Sequence, residues 1–320
     1  MPATALSGRR GRSRRSLIVT ALQLVVAAGA LVWILAIWGL SPFAAAAGVL
    51  TWWSIAGALI LGFVGVLVQA QRWRLVARGQ GIELGLGAAL ERCWQAAFIN
   101  ALLPGGLAGD AVRAVEQRSE GGPWGGDLLK RSVGAVSAER LAGTSVVFLA
   151  AGLALLDLRP GAGVLALVVA VAAAAASWPW LRRLTVRDIG CVSALSVAGW
   201  AAFATIFLLA CLAVAPELPA AEIPLLAAIT LAGMSIPLNL AGWGPREGAA
   251  ALGFVLLGHA AAGGVSVSIG YGLLALVSVL PGSVILLLRT LRRLRRRAHA
   301  GEIELGTHIV TEHEPADRGG

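Results

Sequence analysis

Three short motifs place charged side chains inside otherwise apolar segments of this sequence. In the first, Phe98 to Arg113, Pro104 and Gly105 permit the chain to reverse, while Asp110 and Arg113 lie three residues apart on one helix face. Open backbone amides beside a guanidinium favour an anionic oxygen, so this motif predicts a phosphate site. A second interpretation stays open, in which Asp110 caps the helix and pairs with Arg113 for structural reasons alone.

The second motif is the adjacent pair Glu139-Arg140, about two turns into an apolar segment. A charge that faces lipid at this depth costs roughly 3 kcal/mol or more, so the pair must face the bundle, a polar cavity or the interface. Neighbouring helical residues point in different directions, and we therefore expect separate partners for the two side chains. The candidates are Arg113 or Arg246 for Glu139. For Arg140 they are Asp110 or a lipid phosphate, unless the pair is interfacial and reaches the cytoplasmic surface.

The third motif reads LNLAGWGPREG. Gly242 and Gly244, with the following proline, break the helix, and Arg246-Glu247 begins the next one. There Glu247 favours the positive helix end, and we expect Arg246 to project into the gap left by the break. If Arg246 and Arg113 lie on opposite sides of the membrane, the two arginines would form a relay for an anionic head group.

Composition identifies a polytopic membrane protein. The chain has 320 residues, is 58% hydrophobic and only 13% charged, and repeatedly contains apolar runs near the ~20 residues that cross a bilayer. Lys130 is the only lysine, and arginines crowd the ends and flank the apolar runs, so the positive charge indicates topology and not nucleic-acid binding. Cys93, Cys191 and Cys211 stand singly in apolar segments, where we expect small buried side chains without a metal or disulfide.

Six apolar segments are long enough to cross, and basic residues at their ends place both termini in the cytoplasm. The predicted spans are Leu17–Trp38, Trp52–Ala70, Ser132–Leu156, Gly161–Leu181, Ile189–Val214 and Gly264–Leu288.

Two further segments are predicted to enter the membrane and return on the same side. Leu86–Leu103 has basic residues on both flanks, so it is expected to turn at Pro104 and Gly105. The orientation of the last span requires a second such hairpin around Asn239 to Glu247, entered from outside. We therefore predict an all-α membrane bundle of about six spans plus two re-entrant hairpins, eight helical segments in all.

The spans and hairpins divide into two inverted repeats, about 17–157 and 160–290, within a single transmembrane domain, 17–297. Residues 1–16 form a basic cytoplasmic N-terminus, and the polar tail 298–320 is expected to be disordered and cytoplasmic. The alternative is a set of unrelated helices whose Gly and Pro merely allow close packing.

No catalytic signature, such as H-E-x-x-H, G-x-S-x-G or a P-loop, occurs in the sequence, so we expect neither an enzyme nor a cofactor or metal. Proton coupling through Glu139 or Glu247 stays open.

The stretches NALLPGGLAGDAVR, SAERLAG and SIPLNLAGWGPREGAAALGFVLLG, in that order between about Ala88 and Leu288, resemble a flippase-like membrane family. Its type member is the lipid-translocating part of bacterial lysylphosphatidylglycerol synthase. The resemblance implies a cell-membrane protein that moves or handles a lipid, such as an amino-acylated or glycosylated one. The positions that fall in the family's recurring motifs are Asn100, Pro104, Gly105, Gly109, Asp110, Arg113, Glu139, Arg140, Gly242, Gly244, Arg246 and Glu247.

These residues, together with Asn239, form our candidate head-group site, and the leading hypothesis is a lipid flippase that is not ATP-driven by itself. After the last predicted span we find no counterpart of the synthase's soluble catalytic domain, so we expect no synthesis of lysyl-lipid. Two alternatives remain. One is a membrane scaffold for envelope lipid-synthesis enzymes or glycosyltransferases, and the other is an ion-coupled transporter of small solutes.

Overall fold

The computed structural model describes residues 41–103, 106–118, 125–236 and 244–292, and every regular element in these ranges is an α-helix. The first predicted span, the N-terminus and the tail lie outside the described residues. The helices are α1 Ser41–Ala47, α2 Trp52–Gly79, α3 Leu86–Leu102, α4 Ala108–Arg118, α5 Gly125–Leu155, α6 Pro160–Leu181, α7 Val186–Val214, α8 Ile223–Met234, α9 Pro245–Leu256 and α10 Ala261–Val279.

Five described helices are long and apolar enough to cross a membrane, namely α2, α5, α6, α7 and α10, the last together with a helical segment that follows it to Arg292. Five of the six predicted spans are thereby confirmed. Their ends follow local chemistry. Helix α2 begins after Thr51, whose hydroxyl accepts from the Ser54 amide, and α7 begins after Thr185, whose hydroxyl accepts from the Asp188 amide at 3.2 Å.

The two predicted hairpins are pairs of short helices that pack against each other, α3 with α4 and α8 with α9. Helices α8 and α9 have 12 residues each, about 18 Å of helix, which is too short to cross about 30 Å of hydrocarbon. Glycine allows the close approach within each pair: Gly109 lies against the backbone of Ala96, and Gly233 against Pro245 and Ala249. The predicted turn residues Pro104 and Gly105, and positions 237–243 in the second turn, lie outside the described residues.

The central pair of helices, α2 and α7, establishes the relation between the two halves. Gly57 faces Leu209, Gly65 faces Phe203, and Arg72 contacts Ser196, so residue numbers rise along α2 as they fall along α7. These antiparallel helices are the second span of each half. Because equivalent helices run in opposite directions, the halves are inverted relative to each other.

The remaining packing repeats between the halves. Helix α2 contacts α3 and α5, as α7 contacts α8 and α10; α4 contacts α5, as α9 contacts α10. Across the halves, α5 contacts α8 as α10 contacts α3. These corresponding contacts among the described helices are the ones expected of an inverted repeat, and they favour it over a set of unrelated helices.

Two features differ from the sequence-based expectations. The short helix α1 was not predicted; its Ala46 is buried with Val265 and Ile269 of α10. Cys93 and Cys211 are buried as expected, but Cys191 is exposed, because it lies on the outer side of α7.

Candidate functional site

Five charged side chains from α2, α4 and α5 form an alternating chain inside the first half, which we term the Arg113 cluster. Arg113 Nη2 lies 2.9 Å from Glu139 Oε2 and 3.0 Å from Asp110 Oδ1. Arg72 binds the other oxygen of Glu139, and Arg140 binds the other oxygen of Asp110. Three guanidinium groups therefore share two carboxylates, and the cluster carries one positive charge in excess.

The Arg113 cluster is buried at its centre and open at one end. Arg113 is 1% exposed and Glu139 0%, whereas the Arg140 side chain is 37% exposed. A buried charge is tolerated only when it is paired, which the alternation of signs provides. An anion from outside can therefore reach the cluster through Arg140.

Three residues that the sequence analysis did not assign to the candidate site complete this environment. The Cys93 thiol lies 3.1 Å from Arg113 Nη1, and the Trp73 ring lies 4.6 Å from Arg113 Cζ, a cation–π contact. Arg72 Nη1 donates to Ser196 Oγ at 3.1 Å. Arg72 lies two residues beyond Ala70, the predicted end of the second span, where flanking arginines indicate only topology. The helix continues to Gly79 and so includes Arg72.

The first turn also contributes directly to the cluster. Asn100 Nδ2 donates to Asp110 Oδ2 at 3.1 Å, and its Oδ1 accepts from the Gly109 amide at 2.7 Å. Arg140 donates to the carbonyl of Gly106 at 2.9 Å. The side chain that satisfies an amide at the start of α4 is thus Asn100, and Asp110 is engaged by Arg113 and Arg140.

A second, smaller cluster, the Arg246 cluster, lies where α9 begins. Arg246 Nε donates to Glu247 Oε1 and to Ser268 Oγ of α10, each at 3.0 Å. The other oxygen of Glu247 accepts from the Gly244 amide at 2.6 Å, and Gly244 has φ 104°, which favours glycine. Arg246 is 3% exposed, and its guanidinium also lies over the Tyr271 ring, 5.6 Å from the ring centre. The gap into which Arg246 is expected to project, positions 237–243, lies outside the described residues.

A glycine makes room for a guanidinium in each cluster. A Cβ at Gly272 of α10 would come within 2.5 Å of Arg246, and one at Gly143 of α5 within 3.0 Å of Arg72. Glycines are common in transmembrane helices, so these two could not be distinguished from packing glycines by sequence alone.

The two clusters lie at different heights in the bundle, and Glu139 does not meet Arg246. Arg72 contacts α7 at Ser196, whereas the Tyr271 ring packs 5.9 Å from the Phe207 ring of the same helix. Eleven residues of α7 separate these levels, about 16 Å along its axis. The predicted positions Pro104, Gly105, Asn239 and Gly242 lie outside the described residues.

Comparison with known families gives one match. The family described as "Lysylphosphatidylglycerol synthase TM region" matches residues 20–189, just over half of the chain. The match includes the whole Arg113 cluster and ends before the second hairpin. The motif LNLAGWGPREG of that hairpin therefore lies outside the matched residues, and only its sequence resembles the family. No curated protein matches the chain.

Family and fold together describe a multi-pass membrane protein related to lipid handling. With its helical bundle, and with a family match that spans the first hairpin and the Arg113 cluster, this chain belongs to the lysylphosphatidylglycerol synthase transmembrane-region family.

Proposed function

We propose that this protein moves a lipid with an anionic head group across the cytoplasmic membrane, without hydrolysing ATP and without covalent chemistry on the lipid. The observation that carries the proposal is the excess positive charge of the Arg113 cluster, in which three arginines share two carboxylates. A phosphate group supplies the missing negative charge, and guanidinium groups bind phosphate oxygens through paired hydrogen bonds.

The exposed end of the cluster suggests how a head group enters. Arg140 is the most accessible of the three arginines, and it holds Asp110 and the Gly106 carbonyl. An arriving phosphate would first bind Arg140 and replace one oxygen of Asp110. Asp110 and Glu139 neutralise two of the three arginine charges when no lipid is present. A phosphate would therefore supply the remaining negative charge and take over one carboxylate contact, and the return of that carboxylate would permit release.

The Arg246 cluster would receive the head group at the second level. The Glu247 carboxylate accepts hydrogen bonds from both Arg246 and the Gly244 amide. If a phosphate took its place on Arg246, Glu247 would still keep the Gly244 amide as a partner at the start of α9. The acyl chains would remain in the bilayer beside the exposed apolar faces of the helices. We further propose that both termini are cytoplasmic, since arginines flank the cytoplasmic ends of the predicted spans.

The two alternatives differ in what they require of these carboxylates. An ion-coupled solute transporter would use Glu139 or Glu247 as a proton or cation acceptor, yet Glu139 is bound by Arg72 and Arg113, and Glu247 by Arg246. Their engagement favours anion exchange over cation coupling. A scaffold for envelope lipid-synthesis enzymes would require neither cluster to exchange partners.

The proposal is tested with purified protein in liposomes that contain a fluorescent phosphatidylglycerol, whose outer-leaflet fraction is bleached by dithionite. The wild type should expose inner-leaflet lipid faster than empty liposomes do. Arg113→Gln and Arg246→Gln should each slow this about 10-fold or more, since each removes a charge-assisted hydrogen-bonding group.

Arg78→Gln is the matched control. Arg78 also forms an ion pair, 2.8 Å from Asp188, but its side chain is 63% exposed and belongs to neither cluster. Wild-type protein that moves no anionic lipid would overturn the proposal. Absence of movement in wild type and variants alike would favour a scaffold, and solute uptake that requires an ion gradient would favour the transporter. Movement at equal rates in all variants would show that the two clusters do not bind the lipid.

A further inference from the structure

The last span reaches the Arg246 cluster and the first hairpin, and it is interrupted between them. Helix α10 ends at Val279, and a second helical segment, 281–292, follows directly. Pro281 begins this segment; a proline has no amide hydrogen to donate and obstructs the preceding turn, so a bend is less costly here than elsewhere in the span. The corresponding helix of the first half, α5, runs unbroken from Gly125 to Leu155 and contains no proline.

Arg289, near the end of segment 281–292, joins the two helices of the first hairpin. Its Nε lies 2.6 Å from Glu91 Oε1 of α3, and its Nη1 lies 3.0 Å from Glu116 Oε2 of α4. The same Nη1 donates to Gln95 Oε1 of α3 at 2.8 Å. Glu91 and Gln95 flank Cys93, whose thiol contacts Arg113, and Glu116 lies about one helical turn from Arg113 in α4. The contacts of Arg289 therefore lie beside the Arg113 cluster, near the open end of the hairpin.

The second hairpin closes its open end differently. His259, just after α9, lies 2.6 Å from Glu222 Oε2, just before α8, so this hairpin joins its own two ends. Near its open end, the first hairpin has Glu91 of α3 and Glu116 of α4 joined by a side chain from the other half of the molecule.

Tight packing continues along the span between these contacts. Ser268 and Gly272 lie against Arg246, Ser278 lies against Gly62 of α2, and Gly282 lies against the Trp94 carbonyl of α3. From Ser268 to Arg289 the span covers 21 residues, about 31 Å. One span therefore touches the Arg246 cluster at one end and the first hairpin at the other.

From this placement we infer that Arg289 is a positioning residue that couples the two clusters. It makes the first hairpin move with segment 281–292, so that a change at Arg246 reaches the Arg113 cluster through α10 and the bend at Pro281. The role of this coupling in lipid movement rests on the proposed function. The coupling itself can be measured by hydrogen–deuterium exchange, without any transport.

The test is hydrogen–deuterium exchange of the full chain in lipid nanodiscs. Arg289→Gln should raise exchange in α3 and α4 about 5-fold or more, because it opens a local unit that the arginine closes, and should leave α8 and α9 unchanged. Arg292→Gln, which removes an exposed arginine one turn further on, is the matched control and should have no effect.

A double-mutant cycle that combines Arg246→Gln with Arg289→Gln measures the coupling directly. Arg246→Gln should raise exchange in α3 and α4 when Arg289 is present, and should add nothing in the Arg289→Gln background. If Arg246→Gln leaves the first hairpin unchanged, or if its effect is the same in both backgrounds, the coupling is wrong.

Arg289→Lys keeps the charge, so it serves as a second variant in case Arg289→Gln fails to fold. A single ammonium group cannot hold Glu91 and Glu116 with the geometry of a guanidinium, so an intermediate rise in exchange is expected; exchange equal to that of the wild type would contradict the inference. In liposomes, Arg289→Gln should slow lipid movement about 10-fold. If the wild type moves no lipid, the proposed function fails while the exchange data still decide the coupling.

Discussion

Arg113 occupies an environment that requires a guanidinium. Its Nη2 serves Glu139 and Asp110 together, its Nη1 reaches the Cys93 thiol, and its flat face lies against Trp73. A lysine ammonium is a point charge without a planar face, so it could not make these contacts simultaneously. The partners of Arg113 thus explain why an arginine occupies this position, whereas its charge alone would not.

Gly272 gives a residue-scale prediction about the Arg246 cluster. In Gly272→Ala the new Cβ would come within 2.5 Å of Arg246 Nη2, so the guanidinium must shift and loosen its bonds to Glu247 and Ser268. We expect lipid movement in the liposome assay to slow about 10-fold, the effect of weakening one charge-assisted hydrogen bond.

The matched control for this variant is Gly190→Ala. Gly190 lies in α7 with no neighbouring atom within 4 Å of an added Cβ, so alanine should leave the rate unchanged and stabilise the helix by about 0.5–1 kcal/mol. Equal rates for Gly272→Ala and the wild type would show that Arg246 does not need its present position.

At the scale of elements, apolar length and flanking arginines were sufficient to predict the spans, because a bilayer imposes both rules along the chain. The cost of an unpaired charge within an apolar segment was also sufficient to suggest Arg113 as a partner for Glu139 and Asp110 as a partner for Arg140, each beside one other candidate. Arg72, Ser196 and Ser268 were missed for a physical reason. They meet the clusters from helices far away in sequence, and no local periodicity encodes which helices become neighbours.

The contact between His259 and Glu222 at the open end of the second hairpin gives a prediction at the scale of elements. Glu222→Gln removes the charged partner of His259, so the open end of the α8–α9 pair should separate more often. We expect backbone amides of α8 and α9 to exchange with deuterium about 3-fold faster or more, with α3 and α4 unchanged. Glu217→Gln, at an exposed position in the same loop, is the control. Unchanged exchange in Glu222→Gln would mean that helix packing alone closes this hairpin.

At the scale of the whole molecule, the two halves share a framework but differ in charge. The Arg113 cluster has three arginines and two carboxylates, whereas the Arg246 cluster pairs one arginine with one carboxylate. The position that Arg72 fills in the first half has no counterpart that contacts Arg246 from α7 among the described residues. A head group would therefore be held more strongly at the first level than at the second.

The inverted arrangement predicts which loops face each side of the membrane. Glu83, between α2 and α3, and Glu217, between α7 and α8, are exposed and follow antiparallel helices. In a Cys191→Ser background, which removes the exposed native thiol, Glu217→Cys should react with an impermeant maleimide on intact cells. Glu83→Cys should react only after permeabilisation. Labelling of both from one side would contradict the inverted topology.

Because the two clusters lie at different heights, a charged head group that moves between them crosses part of the membrane voltage. A step of about 16 Å along α7 crosses roughly half of a hydrocarbon layer of about 30 Å. One elementary charge that crosses the entire layer gains or loses about 2.3 kcal/mol per 100 mV, so this step involves about 1 kcal/mol. With a negative cell interior and the Arg113 cluster on the cytoplasmic side, the field would assist outward passage of anionic lipids, oppose cationic ones and leave zwitterionic lipids unaffected.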